Sequence, residues 1–276
     1  MTAAMNIDAA VNDFSALLGE LTSTSTFSRL NIEELRTALF RQGGVDRRCA
    51  AEIFHANRTI TPEKNGEWSE FYLEVLTGFF LQYQSGRYIL PAEFEDLLVA
   101  WLGEGTSIDH VNERRLTLRI LLRVTNTPDR IERRVLGAVS SNLLSQSERW
   151  LGNGQRSPGV LDALDMQLIR RLVCRAEGHY QRNCSRAAIV FLLKLNEQME
   201  GFADPEGWRQ LILHCAARHL SVELKKDFEG PMEPSDKFEL WAEGLSYDGC
   251  SFDRLACLRD DIFSEMRRVS ELCDKV

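Results

Sequence analysis

No run of eighteen consecutive apolar residues occurs in this 276-residue chain, so no segment is predicted to cross a membrane as a helix. Met1 to Ala10 offer no basic patch ahead of an apolar stretch, and no secretory leader is expected. There is no C-x-x-C pair; the seven cysteines are odd in number and irregularly spaced, which fits a reducing, cytosolic setting better than a disulfide framework. Catalytic signatures are missing as well: no Gly-x-Ser-x-Gly elbow, no phosphate-binding loop, and no Gly-x-Gly-x-x-Gly after a strand. The pair Gly152-x-Gly154 follows a helical stretch and reads as linker. An excess of basic charge is also absent. At a net −8 the chain lacks what broad phosphate contact requires, so nucleic acid is not an expected partner.

Proline is scarce and well placed. All seven (Pro62, Pro91, Pro128, Pro158, Pro205, Pro231, Pro234) fall at the edges of apolar-periodic segments, where a missing N–H does no harm. Thr61-Pro62-Glu63, Thr127-Pro128-Asp129 and Asp204-Pro205-Glu206 each set a capping residue before a proline and an acid after it, a helix start. Between these marks the period is 3.6. Trp68, Phe71, Tyr72, Val75, Leu76, Phe79 and Phe80 trace one helical face, as do Leu116, Ile120, Leu121 and Val124. Ile131, Val135, Leu136 and Val139 form a further stripe, and Leu255, Leu258, Ile262, Phe263 and Met266 another. No segment alternates as a strand should; the prediction is an all-α protein of about eleven helices.

The pattern repeats. The stripe from Trp68 recurs from Trp208 with Leu211, Ile212, Cys215, Ala216, His219 and Leu220 at the same offsets. Upstream, Ile53-Phe54-x-x-Asn57 matches Leu192-Leu193-x-x-Asn196, and Leu35, Leu39 and Phe40 match Leu168, Leu172 and Val173. Trp101 and Trp241 lie 140 residues apart, as Trp68 and Trp208 do. An internal duplication of a multi-helix bundle is therefore expected. The layout is an N-terminal helix and linker at 1–30, a first module at 31–125, an Arg-rich connecting helix with a Gly/Ser/Pro linker at 126–159, and a second module at 160–276 ending in an acidic helix.

Where Gly43-Gly44-Val45-Asp46…Glu52 pairs with Gly178…Ser185-Arg186-Ala187, the order of short helix, glycine turn and two further helices resembles the modules of the tellurite-resistance TerB-like group. Pro158 to Leu220 is similar to a family of bacterial all-helical proteins of uncharacterised role with the same doubled layout. The resemblance implies a doubled helical fold and a metal-binding or metal-responsive role carried by acids in and after the turn. This chain keeps Asp46 and Glu52 in the first copy and only Glu177 in the second.

Four constellations bear on chemistry. Calcium needs six to eight oxygens, and neither glycine turn supplies them. Zinc is suggested by Cys174, His179, Cys184, His214, Cys215 and His219 gathered within 46 residues, yet their spacing matches no established ligand set. The repeat aligns Cys215 and His219 with Val75 and Phe79, so core filling is the expectation and no metal or other cofactor is predicted. A Cys49 nucleophile with His55 or His110 is conceivable but unsupported by spacing, and Glu93, Glu95 and Asp96 after Pro91 fit a helix start better than paired acid–base catalysts. Charge, finally, is uneven. Residues 111–149 carry eight arginines, no lysine and four acids, a net of +4, whereas 223–276 carry a net of −6. Arg115, Arg119 and Arg123 recur every fourth residue, with Arg130, Arg133 and Arg134 on the next helix. They are the candidate docking face for an acidic protein surface or for another copy of the chain. The expected function is a non-enzymatic protein-interaction or stress-related regulatory module. A metal-responsive protein and an enzyme of unfamiliar type are the alternatives.

Overall fold

The computed structural model describes residues 14–24, 27–60, 65–103, 108, 110–125, 127–144, 161–174, 184–199, 207–224 and 233–273. Twelve helices make up 79% of it, beside one two-stranded hairpin, and the protein is all-α. Two compact units divide the chain, residues 1–135 and 136–276. Among the described residues no helix is long and apolar enough to cross a membrane. Pro91 directly precedes one helix, Pro128 shortly precedes another, and Pro234 is the first residue of a third. The starts assigned to Pro62 and Pro205, the residues around Pro158 and Pro231, and the linker at 152–159 lie outside the described residues.

In the first unit, α1 (14–24) buries Phe14, Leu18 and Leu21, and the Ser15 hydroxyl ties it to Glu52 at 2.6 Å. Helix α2 (Arg29–Arg41) starts on a capping box between Ser28 and Asn31, which satisfies backbone donors that the first turn leaves open. It stops at Gly43 and Gly44, whose φ values of 91° and 116° suit glycine, and the Gly44 N–H returns to Leu39 O at 3.0 Å. Phe40, matched above with a core position, is 85% exposed; only Leu35 and Leu39 of that trio face inward. Helix α3 (Arg47–Asn57) is capped by Asp46, and α4 (Gly66–Phe80) packs against α2, α3 and α6. Of the predicted α4 stripe, Trp68, Phe71, Tyr72, Leu76 and Phe80 are buried, while Val75 and Phe79 are half-buried.

Between α4 and α5 one short hairpin interrupts the helices, in a segment where no alternation marks a strand. Strands β1 (Gln82–Gln84) and β2 (Arg87–Ile89) pair antiparallel around Ser85-Gly86, whose φ values of 50° and 82° define a two-residue turn with both centres left-handed. Three-residue strands give too few alternations to register against helical periodicity. The local signal is Ser-Gly flanked by Tyr83 and Tyr88, which face each other across the ladder. Helix α5 (Ala92–Leu102) follows with Glu93 and Glu95 in its first turn, as the dipole favours, and then α6 (Val111–Arg123). Helix α7 (Asp129–Leu144) contains the boundary between the units.

The second unit contains α8 (Ala163–Val173), α9 (Arg186–Gln198), α10 (Trp208–Leu224), α11 (Pro234–Ser246) and α12 (Phe252–Cys273). Asp162 and Asp165 form a capping box on α8, and Ser185 caps α9. Helix α10 takes the central place, packed on α8, α9, α11 and α12, with all seven residues of its predicted stripe buried. Trp208 is fully buried there, as Trp68 is in α4. Each such burial contributes roughly 3 kcal/mol from removed apolar area.

Candidate functional sites

The arginines are not one exposed set. Arg115 and Arg123 are exposed, and Arg119 is partly so, with Glu70 on α4 at 4.0 Å. Arg123 lies over the Tyr88 ring, 5.8 Å from its centroid, and Tyr88 meets Tyr83 edge-on at 5.2 Å. An isolated parallel bridge between Tyr88 and Val124 fixes the hairpin beside the end of α6. The result is a continuous ridge running Arg115, Arg119, Arg123, Tyr88, Tyr83. Tyr83, its outermost ring, is 66% exposed. Arg130 is engaged with Asp96, and Arg133 reaches the Asp129 carbonyl at 3.4 Å. Arg134 departs from the expected docking face: it is buried, and its guanidinium donates to the Leu102 carbonyl at the end of α5. Four-residue spacing gives a helix face but not which neighbour covers it, and Arg134 faces the core.

Part of the zinc constellation does converge. The Cys174 and Cys215 thiols touch at 3.6 Å, and Cys184 reaches Cys215 from the start of α9. The bond from Cys174 favours the Cys215 thiolate, but the bond with Cys184 and burial outweigh it and push that thiol far above the ordinary range. His214 turns elsewhere. Arg218 donates to its Nε2 at 2.9 Å, which leaves Nδ1 to donate to Glu265 at 3.2 Å. His179 lies outside the described residues. Among the described residues no set of three or more His, Cys, Asp or Glu side chains is arranged to hold a metal ion.

His219 is buried, as the repeat predicts, but it also borders a cavity of about 190 Å³ that sequence reasoning missed. Trp241 donates its indole N–H to His219 Nδ1 at 2.8 Å. Arg186, Glu223, Lys237 and Leu240 complete most of the lining. The sequence signal is a histidine, His219, on the apolar stripe of α10. Nothing in spacing alone marks the space beside it.

The remaining candidates have local partners. Cys49 is buried, accepts from Gln42 Nε2 at 3.0 Å, and burial pushes its thiol up to about 11, which disfavours a nucleophile. His110 caps α6 through the Asn112 N–H and meets Asn57 at 2.9 Å, while His55 is exposed. Asp46 caps α3 on the Cys49 N–H at 2.8 Å, and Glu52 holds Ser15 and Arg48. Comparison with family models, with curated proteins and with solved structures finds no match.

Proposed function

We propose that this chain is a non-enzymatic protein-interaction module, and that the Arg–Tyr ridge of its first unit docks an acidic protein segment. The observation that carries the reading is Arg123 stacked on Tyr88 in line with Arg119 and Arg115, with Tyr83 beyond. Tyr and Arg dominate binding energy at protein interfaces because they bring large, stiff contact area and forked donors together. Folding gives little reason for the arrangement, since exposed ion pairs contribute only about 0–1 kcal/mol each. A basic ridge on a chain of net −8 steers acidic partners to one place.

We also read the two units as copies of one five-helix module. Supporting this, Trp68 donates to Asn57 at 3.1 Å and Trp208 to Asn196 at 2.9 Å. Phe79 stacks on Trp101, and His219, at the matching place, bonds Trp241. Matching Leu116, Ile120, Leu121 and Val124 with Leu258, Ile262, Phe263 and Met266 puts Cys257, Asp261 and Glu265 where the ridge has Arg115, Arg119 and Arg123. The ridge belongs to the first copy alone.

Another copy of the chain is the weaker partner. Asp261 pairs with Arg209 at 2.5 Å and Glu265 with Arg268 at 2.7 Å, so these C-terminal acids are already engaged. The metal-responsive alternative rests on the TerB-like resemblance, and Asp46 and Glu52, the acids it calls on, serve as a helix cap and as a partner of Ser15 and Arg48.

The test is capture of acidic partners from the native host by the whole protein and by an Arg115→Glu/Arg119→Glu/Tyr83→Ala variant. Loss of capture, with weakening of the parent complex by salt and little change in melting temperature, supports the reading. Capture that survives in the variant at physiological salt overturns it.

A further inference from the structure

Three thiols carried by separate helices meet inside the second unit. Cys174 directly follows α8, Cys184 stands just before α9, and Cys215 lies in the middle of α10. The sulfurs of Cys174 and Cys215 belong to residues 41 apart in sequence and touch at 3.6 Å, and Cys184 also bonds Cys215. Cys215 is fully buried and Cys184 is buried, while Cys174 is only half-buried. Solvent therefore reaches the cluster at Cys174.

Core filling does not call for this meeting. A buried cysteine packs as a small apolar residue without a second thiol, as Cys49 does beside the Gln42 amide at 3.0 Å. What two sulfurs in contact are suited to is a bond between them. Closing 3.6 Å to the disulfide length of about 2.05 Å asks for an approach of about 1.5 Å. Cys174 is placed to make that approach. It is the C-cap of α8, with φ −99° and ψ 66°, so it stands outside the helical turns that hold α8 together.

We propose that Cys174 is a site of oxidation by hydroperoxides and that Cys215 closes it into a disulfide within the chain. In the first step the Cys174 sulfur takes the terminal oxygen of the hydroperoxide. The O–O bond breaks, the sulfur becomes a sulfenic acid, and the remaining oxygen leaves as an alcohol, or as water from hydrogen peroxide. In the second step the Cys215 sulfur bonds that of Cys174, and the sulfenic hydroxyl leaves as water with the Cys215 proton. Two thiols and one hydroperoxide thus give one disulfide, one alcohol and one water. The site is independent of the Arg–Tyr ridge.

The place of the bond gives it a consequence. Helix α10 is the element on which α8, α9, α11 and α12 all pack, and the disulfide fastens the end of α8 to its middle. A cross-link between residues 41 apart removes much of the freedom of the unfolded chain, so the oxidised second unit is harder to open. Where thiols are kept reduced, a pair that closes only under oxidant serves sensing rather than permanent structure. A thiol reductant returns it to the open state by exchange.

The experiment is stepwise addition of hydrogen peroxide to the reduced, full-length protein at neutral pH, read by non-reducing peptide mass spectrometry and by thermal melting. The expected result is a Cys174–Cys215 cross-link as the first disulfide within the chain, formed while Cys49 and Cys250 stay reduced. The melting temperature rises by about 5 °C or more, and dithiothreitol reverses both changes. Cys174→Ser and Cys215→Ala each remove the cross-link and the rise, and Cys257→Ser retains both. If Cys215→Ala fails to fold, Cys174→Ser, at a half-buried position outside the helix, carries the same test, with retained helical circular dichroism as its control. Absence of the cross-link in folded protein overturns the proposal, as does its formation only in urea. A first disulfide that joins Cys184 to either sulfur overturns the pairing. A cross-link that leaves the melting temperature unchanged overturns the fastening of α8 to α10.

Discussion

Asn57 accepts the indole N–H of Trp68 at 3.1 Å in a site from which water is excluded; both residues are fully buried. Asn112 donates to the same oxygen at 2.9 Å and to Ser69 at 3.1 Å, so a polar knot ties α3, α4 and α6 together inside an apolar core. Asn57→Ala strands buried donors, and the expected loss is about 1–3 kcal/mol by urea denaturation. Asn196→Ala, which orphans Trp208, has a cost in the same range. A change below about 0.5 kcal/mol at either position, the size of an ordinary surface substitution, contradicts the assignment.

Glu265 gives the protein an acid-sensitive contact. The hydrogen bond from Arg268, and after it that from His214, outweigh burial and hold its carboxyl below the usual range. With the folded-state value lowered, its stabilising contribution is complete above the ordinary carboxylate value of about 4.3 and is lost as pH falls through the lower one. Glu265→Gln therefore makes the protein less stable at neutral pH and flattens its stability curve on the acid side. Equal slopes for parent and variant below pH of about 5 contradict this.

Thiol reactivity separates the cysteines by environment. Cys257 is exposed, whereas Cys49, Cys184, Cys215 and Cys250 are buried, and the Cys49, Cys215 and Cys250 thiols are shifted upward. An aromatic disulfide reagent with peptide mapping is expected to label Cys257 first and the four buried thiols only on unfolding. Early labelling of Cys215 in folded protein contradicts its place in the α10 core.

Ser85 carries the one positive φ of a non-glycine residue among those described. Asparagine and glycine adopt that conformation at lower cost, so Ser85→Asn or Ser85→Gly is expected to stabilise the hairpin by up to about 1 kcal/mol. Ser85→Val lowers the melting temperature. Calorimetric melting checks both directions.

The helices and the central places of Trp68 and Trp208 were legible because burial of one face every 3.6 residues leaves a mark on composition. The hairpin at 82–89 left almost none, being three residues per strand. Spacing placed Arg115, Arg119 and Arg123 on one face, but Tyr88 reaches Arg123 from a different element, and no local pattern reports that meeting. The crowding of Cys174, Cys184 and Cys215 was visible as a count, and its contact needed α8, α9 and α10 to assemble. The cavity beside His219 was the least legible feature, since empty space is a property of what neighbouring helices fail to fill.

The bridge from Tyr88 to Val124 has a kinetic corollary. A two-stranded ribbon this short is marginal in water, so without that anchor its tyrosines would sample many orientations and a visitor would have to freeze them on arrival. Held against α6, the ribbon presents them as a preset finger. If the ridge docks an acidic segment as proposed, binding then forfeits little disorder, and sequence changes in that segment should register chiefly in how long the complex survives.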